Sequence, residues 1–225
     1  MTRRPARKQS IRCELCMMQT RLCICSLMPK LENRIPLSLV MHKRETAKPT
    51  NTGHLAVMAL SQAETHIRGA IGQPLQWEKI APTSALNLVL FPKGAAIPLL
   101  DALPRIQNHT GTIRLIVPDG NWGQASRSVN DLDDGEHVQR VFLPPGYVSS
   151  YRLRREPTQR PEAMATIEAI ALAYGLLEGE KIADGLMWIF RVMVERTLWA
   201  KGMLPESEVT GGIPAQAKIP IPPDS

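Results

Sequence analysis

Apolar positions in this chain gather into short unbroken runs closed by turn residues, the pattern of strands covered on both faces. Ile35–Met41 (IPLSLVM), Leu86–Phe91 (LNLVLF), Thr112–Val117 (TIRLIV) and Val138–Leu143 are strand-length and mostly apolar. The last three stop at Pro92-Lys93-Gly94, Pro118-Asp119-Gly120 and Pro144-Pro145-Gly146. Elsewhere the spacing becomes helical. Thr50–Gln62 puts Leu55, Met58, Ala59 and Gln62 on one side. Trp122–Leu132 follows the third strand. Pro161–Leu177 opens on a proline, which a first helical turn tolerates, and Ile182–Lys201 carries Leu186, Ile189, Phe190, Met193 and Val194 at helical spacing. Strands alternating with helices predict an α/β fold, a mostly parallel sheet with helices on both faces. Such sheets bind ligands at the carboxyl ends of their strands, so the Pro/Gly loops are where chemistry belongs.

The flanks have a different composition. Residues 1–12 hold five basic residues and no acid, and read as a disordered basic arm. Residues 13–33 read as a four-cysteine zinc knuckle and linker, 34–202 as the main α/β body, and 203–225 as an extended Pro/Gly-rich tail. The chain has 225 residues, 44% of them hydrophobic, enough for one sizeable domain and a small appendage. Its net charge of +6 favours a polyanionic partner, most commonly nucleic acid. No apolar run reaches the ~18 residues of a membrane span, and the basic N-terminus lacks the apolar core of a signal peptide. A reducing, cytoplasmic setting is expected.

That setting changes how the cysteines read. All four lie at Cys13, Cys16, Cys23 and Cys25, two short pairs that together match a tetrahedral structural zinc site. A disulfide framework fits poorly, because one dense cluster cannot staple a body of this size. An iron–sulfur cluster also takes four cysteines and is the alternative.

Among groups that carry chemistry, Asp119-Gly120-Asn121-Trp122 is the most specific: an acid, a glycine and an aromatic where a strand gives way to a helix. Asp119 reads as a proton acceptor or a holder of a ligand amine, and Trp122 as a stacking face. The structural alternative has Asp119 capping the helix and Trp122 in the core. Ser150-Tyr151-Arg152-Leu153-Arg154 suits phosphate or a small carboxylate, or is a solvated basic loop. His42 through Gly53 joins basic residues to Thr and Asn donors at a helix start, which favours anions. Glu168, in Thr166-Ile167-Glu168, reads either as solvent-facing or as the holder of an arginine from the 151–155 loop. Phosphate-loop, dinucleotide-binding and nucleophile-elbow motifs are absent, which argues against nucleotide hydrolysis and hydride transfer.

In order, the chain carries C-x-x-C with C-x-C, H-x-x-E-x-x-K-x-TNTG from His42 to Gly53, Leu90-Phe91-Pro92, D-G-x-W from Asp119 to Trp122, S-x-YR-x-R-x-EP around Ser150 and ending at Pro157, and T-x-E at Thr166 and Glu168. This ordered set resembles the DTW-domain family of tRNA-uridine aminocarboxypropyltransferases across residues 13 to about 200. One departure is Asn121, where the family has threonine. The resemblance implies a SPOUT-like fold with a knotted cofactor region. It implies transfer of the 3-amino-3-carboxypropyl group of S-adenosylmethionine to N3 of a tRNA uridine, with methylthioadenosine released. It further implies that Leu90, Phe91, Pro92, Gly120, Trp122, Leu143, Pro144, Ser150, Tyr151, Arg152 and Thr166 bind the co-substrate. His42, Lys48, Thr50, Asn51 and Arg154 are expected to meet tRNA, and Asp119 to act as base or as anchor of the ligand amine. A monomer and a homodimer both fit. A SPOUT-type methyltransferase and a non-catalytic zinc-knuckle RNA-binding protein are the rival readings.

Overall fold

The apolar runs are strands of one parallel sheet. The computed structural model describes residues 11–70, 72–132, 135–153 and 164–218. Its strands are β1 (Leu37–His42), β2 (Ala63–Arg68), β3 (Ala85–Leu90), β4 (Ile97–Pro98), β5 (Thr112–Asp119) and β6 (Val138–Phe142). They lie in the order β2-β1-β5-β3-β6-β4, and every neighbouring pair is parallel. The α-helices are α1 (Gly53–Ala59), α2 (Trp77–Ile80), α3 (Leu99–Gln107), α4 (Trp122–Ser128), α5 (Thr166–Glu178) and α6 (Glu180–Ala200).

Successive strand residues point into two different cores, which is why the central strands read as unbroken apolar runs. Leu37, Leu39, Leu88, Leu115 and Val117 pack with α1, α3, α5 and α6. Their neighbours Val40, Val89 and Ile116 pack on the opposite face against Ile80 of α2, Ala125 of α4 and Val129 at its C-cap. The α/β sheet with helices on both faces is therefore as expected. All strands run the same way, so the loops after β1, β3, β5 and β6 open on one edge.

Several boundaries differ from expectation. α1 starts at Gly53, three residues after Thr50, and ends where Leu60 turns extended. α4 stops at Ser128 rather than Leu132. α5 starts at Thr166: Ala165 is extended, and the expected start at Pro161 lies outside the described residues. The knot expected from the resemblance concerns how the chain threads from β6 to α5, a passage that includes residues 154–163, also outside the described residues.

Neither flank stands apart from the body. Cys16, Met18, Leu22 and Ile24 of the knuckle belong to the same core as Leu186, Ile189 and Phe190 of α6. Residues 203–218, expected to be extended, bury Leu204, Val209 and Ala217 in that core as well. Arg196 of α6, 3% exposed, ties the two flanks together. It donates to the Cys23 carbonyl at 2.6 Å and to the Gly212 and Gly211 carbonyls at 2.9 and 3.1 Å. Three carbonyls accept from this buried guanidinium, and Cys23 and Cys16 bear favourably on its charge. No described helix is long and apolar enough to cross a membrane.

Candidate functional site

Asp119 is the last residue of β5, between β1 and β3 in the middle of the sheet. It is 3% exposed. Its Oδ2 accepts from Asn51 Nδ2 at 2.5 Å and its Oδ1 from the Thr166 hydroxyl at 2.5 Å. Burial raises its pKa above the usual carboxylate value, while the Thr166 and Asn51 hydrogen bonds oppose the rise. The chain then turns through Gly120, whose φ of +147° favours glycine, into α4. The cap of α4 is Asn121, not Asp119. Asn121 Oδ1 accepts from Gln124 N at 2.9 Å, and Gln124 Oε1 accepts from Asn121 N at 2.8 Å. This reciprocal capping box leaves the acid free for another purpose. Asn121, where the resemblance expects threonine, thus serves as the cap.

The segment after β1 supplies one wall. Asn51 is buried; besides its bond to Asp119, its Oδ1 accepts from His54 N at 3.3 Å. A Cβ on Gly53 would lie 3.0 Å from Leu39 Cδ2 and 3.1 Å from Asp119 Oδ2, so the close approach of α1 to the acid requires glycine. Lys48 pairs with Glu45 at 2.6 Å. His42 Nδ1 accepts from Arg44 N at 3.1 Å and faces Gln124 Nε2 at 3.3 Å. Burial and then the Arg44 charge lower the pKa of that ring.

The loop after β6 supplies the other wall, and Glu168 holds it. Sequence alone left Glu168 facing solvent or holding an arginine. It is 0% exposed, and five donors among the described residues converge on its carboxylate. Oε1 accepts from Ser150 N at 2.7 Å, Ser150 Oγ at 2.9 Å and the Tyr147 hydroxyl at 3.2 Å. Oε2 accepts from Ser149 Oγ at 2.6 Å and Ala165 N at 2.7 Å. The Tyr151 hydroxyl donates to the Thr50 carbonyl at 3.1 Å, joining the two walls. Leu143 and Pro144 are half-buried beneath the loop, and Arg152 is exposed. Arg154 lies outside the described residues. On the far side of Asp119, the ring of Trp122, 49% exposed, sits 4.7 Å from that of Phe91, beside buried Leu90 and exposed Pro92.

The expected residues that are described thus share the carboxyl edge of the sheet. Asp119, Asn51, Thr166 and Gly53 form its buried centre. Asn51, expected to meet RNA, is turned inward. Glu168 is the member whose role sequence reasoning missed. Its signal was its position three residues after Ala165, where a glutamate reaches back to an N-cap N–H.

The knuckle is a separate, closed site. The four sulfurs lie within 4.8 Å of one another. Cys13 Sγ and Cys25 Sγ are 3.5 Å apart, and Cys16 Sγ and Cys23 Sγ 3.7 Å. A tetrahedron with ~2.3 Å zinc–sulfur bonds has edges of about 3.8 Å, so the donor set fits zinc. The backbone N–H groups of Cys16 and Leu15 help pull the Cys13 thiol down to about 7. Burial, then the neighbouring sulfurs, push Cys25 up. Sulfurs crowded in this way favour a shared cation.

A family sequence model described as the DTW domain matches residues 10–198. "tRNA-uridine aminocarboxypropyltransferase 2" of Macaca fascicularis is 26% identical over 181 residues, which cover 77% of this chain and 58% of that protein. The protein of the same name from Mus musculus is 25% identical over 173 residues, 74% of this chain and 56% of that one. The chain therefore spans under three fifths of the curated relatives it matches. The solved "SAM-dependent rRNA:acp-transferase Tsr3" from Vulcanisaeta distributa is similar with a TM-score of 0.46 at 18% identity, covering 80% of this chain and 85% of that one.

Proposed function

The chain belongs to the DTW-domain family, and from that premise we propose that it transfers the 3-amino-3-carboxypropyl group of S-adenosylmethionine to N3 of a uridine in tRNA. The observation that carries this reading is Asp119: a buried acid at the carboxyl end of a central parallel strand, held by Asn51 and Thr166, with an aromatic pair beside it.

The co-substrate, when bound, supplies a propyl carbon activated by its sulfonium. The residues around it suit such a ligand: a buried carboxylate to face the cation, Phe91 and Trp122 for a heterocycle, and Leu90, Leu143 and Pro144 to exclude water. Ser150 and Tyr151, whose donors are taken up by Glu168, Ser149 and the Thr50 carbonyl, fix the loop, and exposed Arg152 offers a cation to the amino-acid end. Asp119 takes the uridine N3 proton as the N3–carbon bond forms and the carbon–sulfur bond breaks, the electron pair leaving on the sulfur of methylthioadenosine. Desolvation makes the acid a stronger base than an exposed aspartate. The Thr166 hydroxyl can rotate, so Oδ1 is the oxygen that can be handed over. Cys13, Cys16, Cys23 and Cys25 would hold zinc as a structural ion, fixing the fold of the knuckle whose Met18, Leu22 and Ile24 pack on α6.

The test is mass spectrometry of tRNA nucleosides after incubation with protein and S-adenosylmethionine. Methylthioadenosine and an aminocarboxypropyl-uridine are expected. S-adenosylhomocysteine would mean methyl transfer, and tRNA binding without either product would mean a binding protein. Asp119→Asn is expected to abolish turnover and leave tRNA affinity within a few-fold. Near-normal turnover would remove Asp119 as the base.

A further inference from the structure

Beside this site the described residues of the sheet rim carry more positive charge than their acids balance. His42 ends β1 and pairs in register with Arg68, the last residue of β2. Lys43 and Arg44 follow on a tight 3-10 turn, Lys43–Glu45. Arg127 comes from α4, one turn beyond Gln124, whose amide faces His42 at 3.3 Å. The Arg127 guanidinium lies over the start of α4, with Nη1 3.8 Å from where a Cβ on Gly123 would be. The acids among the described residues here are engaged. Glu45 holds Lys48 at 2.6 Å, Asp131 holds Arg68 at 2.9 Å, and Asp119 is buried on Asn51 and Thr166. Lys43, Arg44 and Arg127 are exposed and pair with no carboxylate among the described residues. The charges of Arg44, Glu45, Arg68 and Arg127 all bear on His42, three of the four positive, which places them around one ring. Unpaired like charges at close quarters repel, and a polyanion laid across them relieves the repulsion.

We propose that Lys43, Arg44 and Arg127 form a phosphate grip that seats the RNA backbone at the β1/α4 corner, next to the base being modified. The proposal deepens the RNA-modifying reading and rests on it. RNA is favoured over a small carboxylate because the three cations are exposed and spread along a rim. It is also favoured because α4 carries Trp122 at one end and Arg127 near the other, about 8 Å apart along its axis, within reach of one nucleotide.

The experiment uses the full chain with Arg44→Gln/Arg127→Gln, with Lys43→Gln added, and with Lys181→Gln/Lys201→Gln as a control on exposed lysines of and just after α6. Transfer-RNA affinity is measured over a series of salt concentrations, and S-adenosylmethionine affinity by calorimetry. Each lost phosphate contact flattens the slope of log affinity against log salt by about 0.7–0.9 and weakens binding on the order of several-fold. The grip variants are expected to show that loss, with a raised KM for tRNA, an unchanged kcat at saturation and unchanged S-adenosylmethionine affinity, while the control behaves as wild type. A slope and affinity equal to the control's would overturn the grip. Lost S-adenosylmethionine binding with an intact slope would also overturn it, because the cations would then serve the small ligand. Wild-type protein showing neither salt-dependent tRNA binding nor methylthioadenosine release would overturn the underlying reading as well.

Discussion

Replacing Glu168 with glutamine separates a loop anchor from a bystander. The two backbone N–H groups it accepts, Ser150 N and Ala165 N, lie on different oxygens at 2.7 Å each. Whichever way the amide turns, its NH2 meets one backbone N–H head-on, and that donor is left unsatisfied in a site that is 0% exposed. An unsatisfied buried donor costs about 1–3 kcal/mol. Alanine removes all five acceptor contacts and costs about 3–5 kcal/mol, the range for breaking a buried charged network. At roughly 3 °C per kcal/mol for a domain of this size, Glu168→Gln should lower Tm by about 6 °C and Glu168→Ala by about 12 °C. Hydrogen exchange should quicken at Ser150 or Ala165 in the glutamine variant and at both in the alanine variant, and KM for S-adenosylmethionine should rise with the loss of loop order. Wild-type Tm and wild-type protection of both amides in the glutamine variant would refute the reasoning.

Three further outcomes follow from the same geometry. Burial raises the folded-state pKa of Asp119 above its unfolded value of 3.8, so the folded chain binds the proton more tightly and stability declines as pH rises from about 4 through the folded pKa. Asp119→Asn, whose oxygen can face Asn51 and whose amide can face Thr166 Oγ, should lose that component; urea titrations of both proteins across pH check it, and identical pH profiles would contradict it. Gly53→Ala forces its methyl against Leu39 and Asp119, and should cut kcat on the order of 100-fold while costing only about 1–3 kcal/mol of stability, read by single-turnover rates and denaturant midpoints. Elemental analysis should find one zinc per chain without iron or sulfide, and chelation should expose residues 11–28 to protease and lower Tm, because the knuckle shares the core of α6.

What the sequence made legible follows from how completely each segment is buried. β1, β3 and β5 were plain because both their faces are covered. β2, with the sequence AETHIR, went unseen because an edge strand half open to water has no apolar run. β4 is two residues long, and α3 was masked by Pro98 and Pro104, which read as loop punctuation. At the site, Asp119 was legible because a strand, a glycine and a helix start bracket it. Glu168 was ambiguous because one acid among apolar neighbours looks the same whether it faces water or a ring of donors. Its donors come from residues 147–150 and 165, and only the fold brings them together. Asn51 was read as a donor correctly, but nothing in its neighbourhood says that the acceptor is 68 residues away.

Arg196 fastens a carbonyl 173 positions earlier in the chain to two carbonyls 15 and 16 positions later. A polypeptide emerging from the ribosome exposes Met18, Leu22 and Ile24 long before the helix that shields them has been made. Cysteine ligands can gather a metal early, but the greasy underside of the knuckle is not covered until α6 has been made, nor fastened until synthesis passes residue 212. Nascent chains arrested short of that point should therefore be the sticky ones, recruiting chaperones that the completed protein no longer needs.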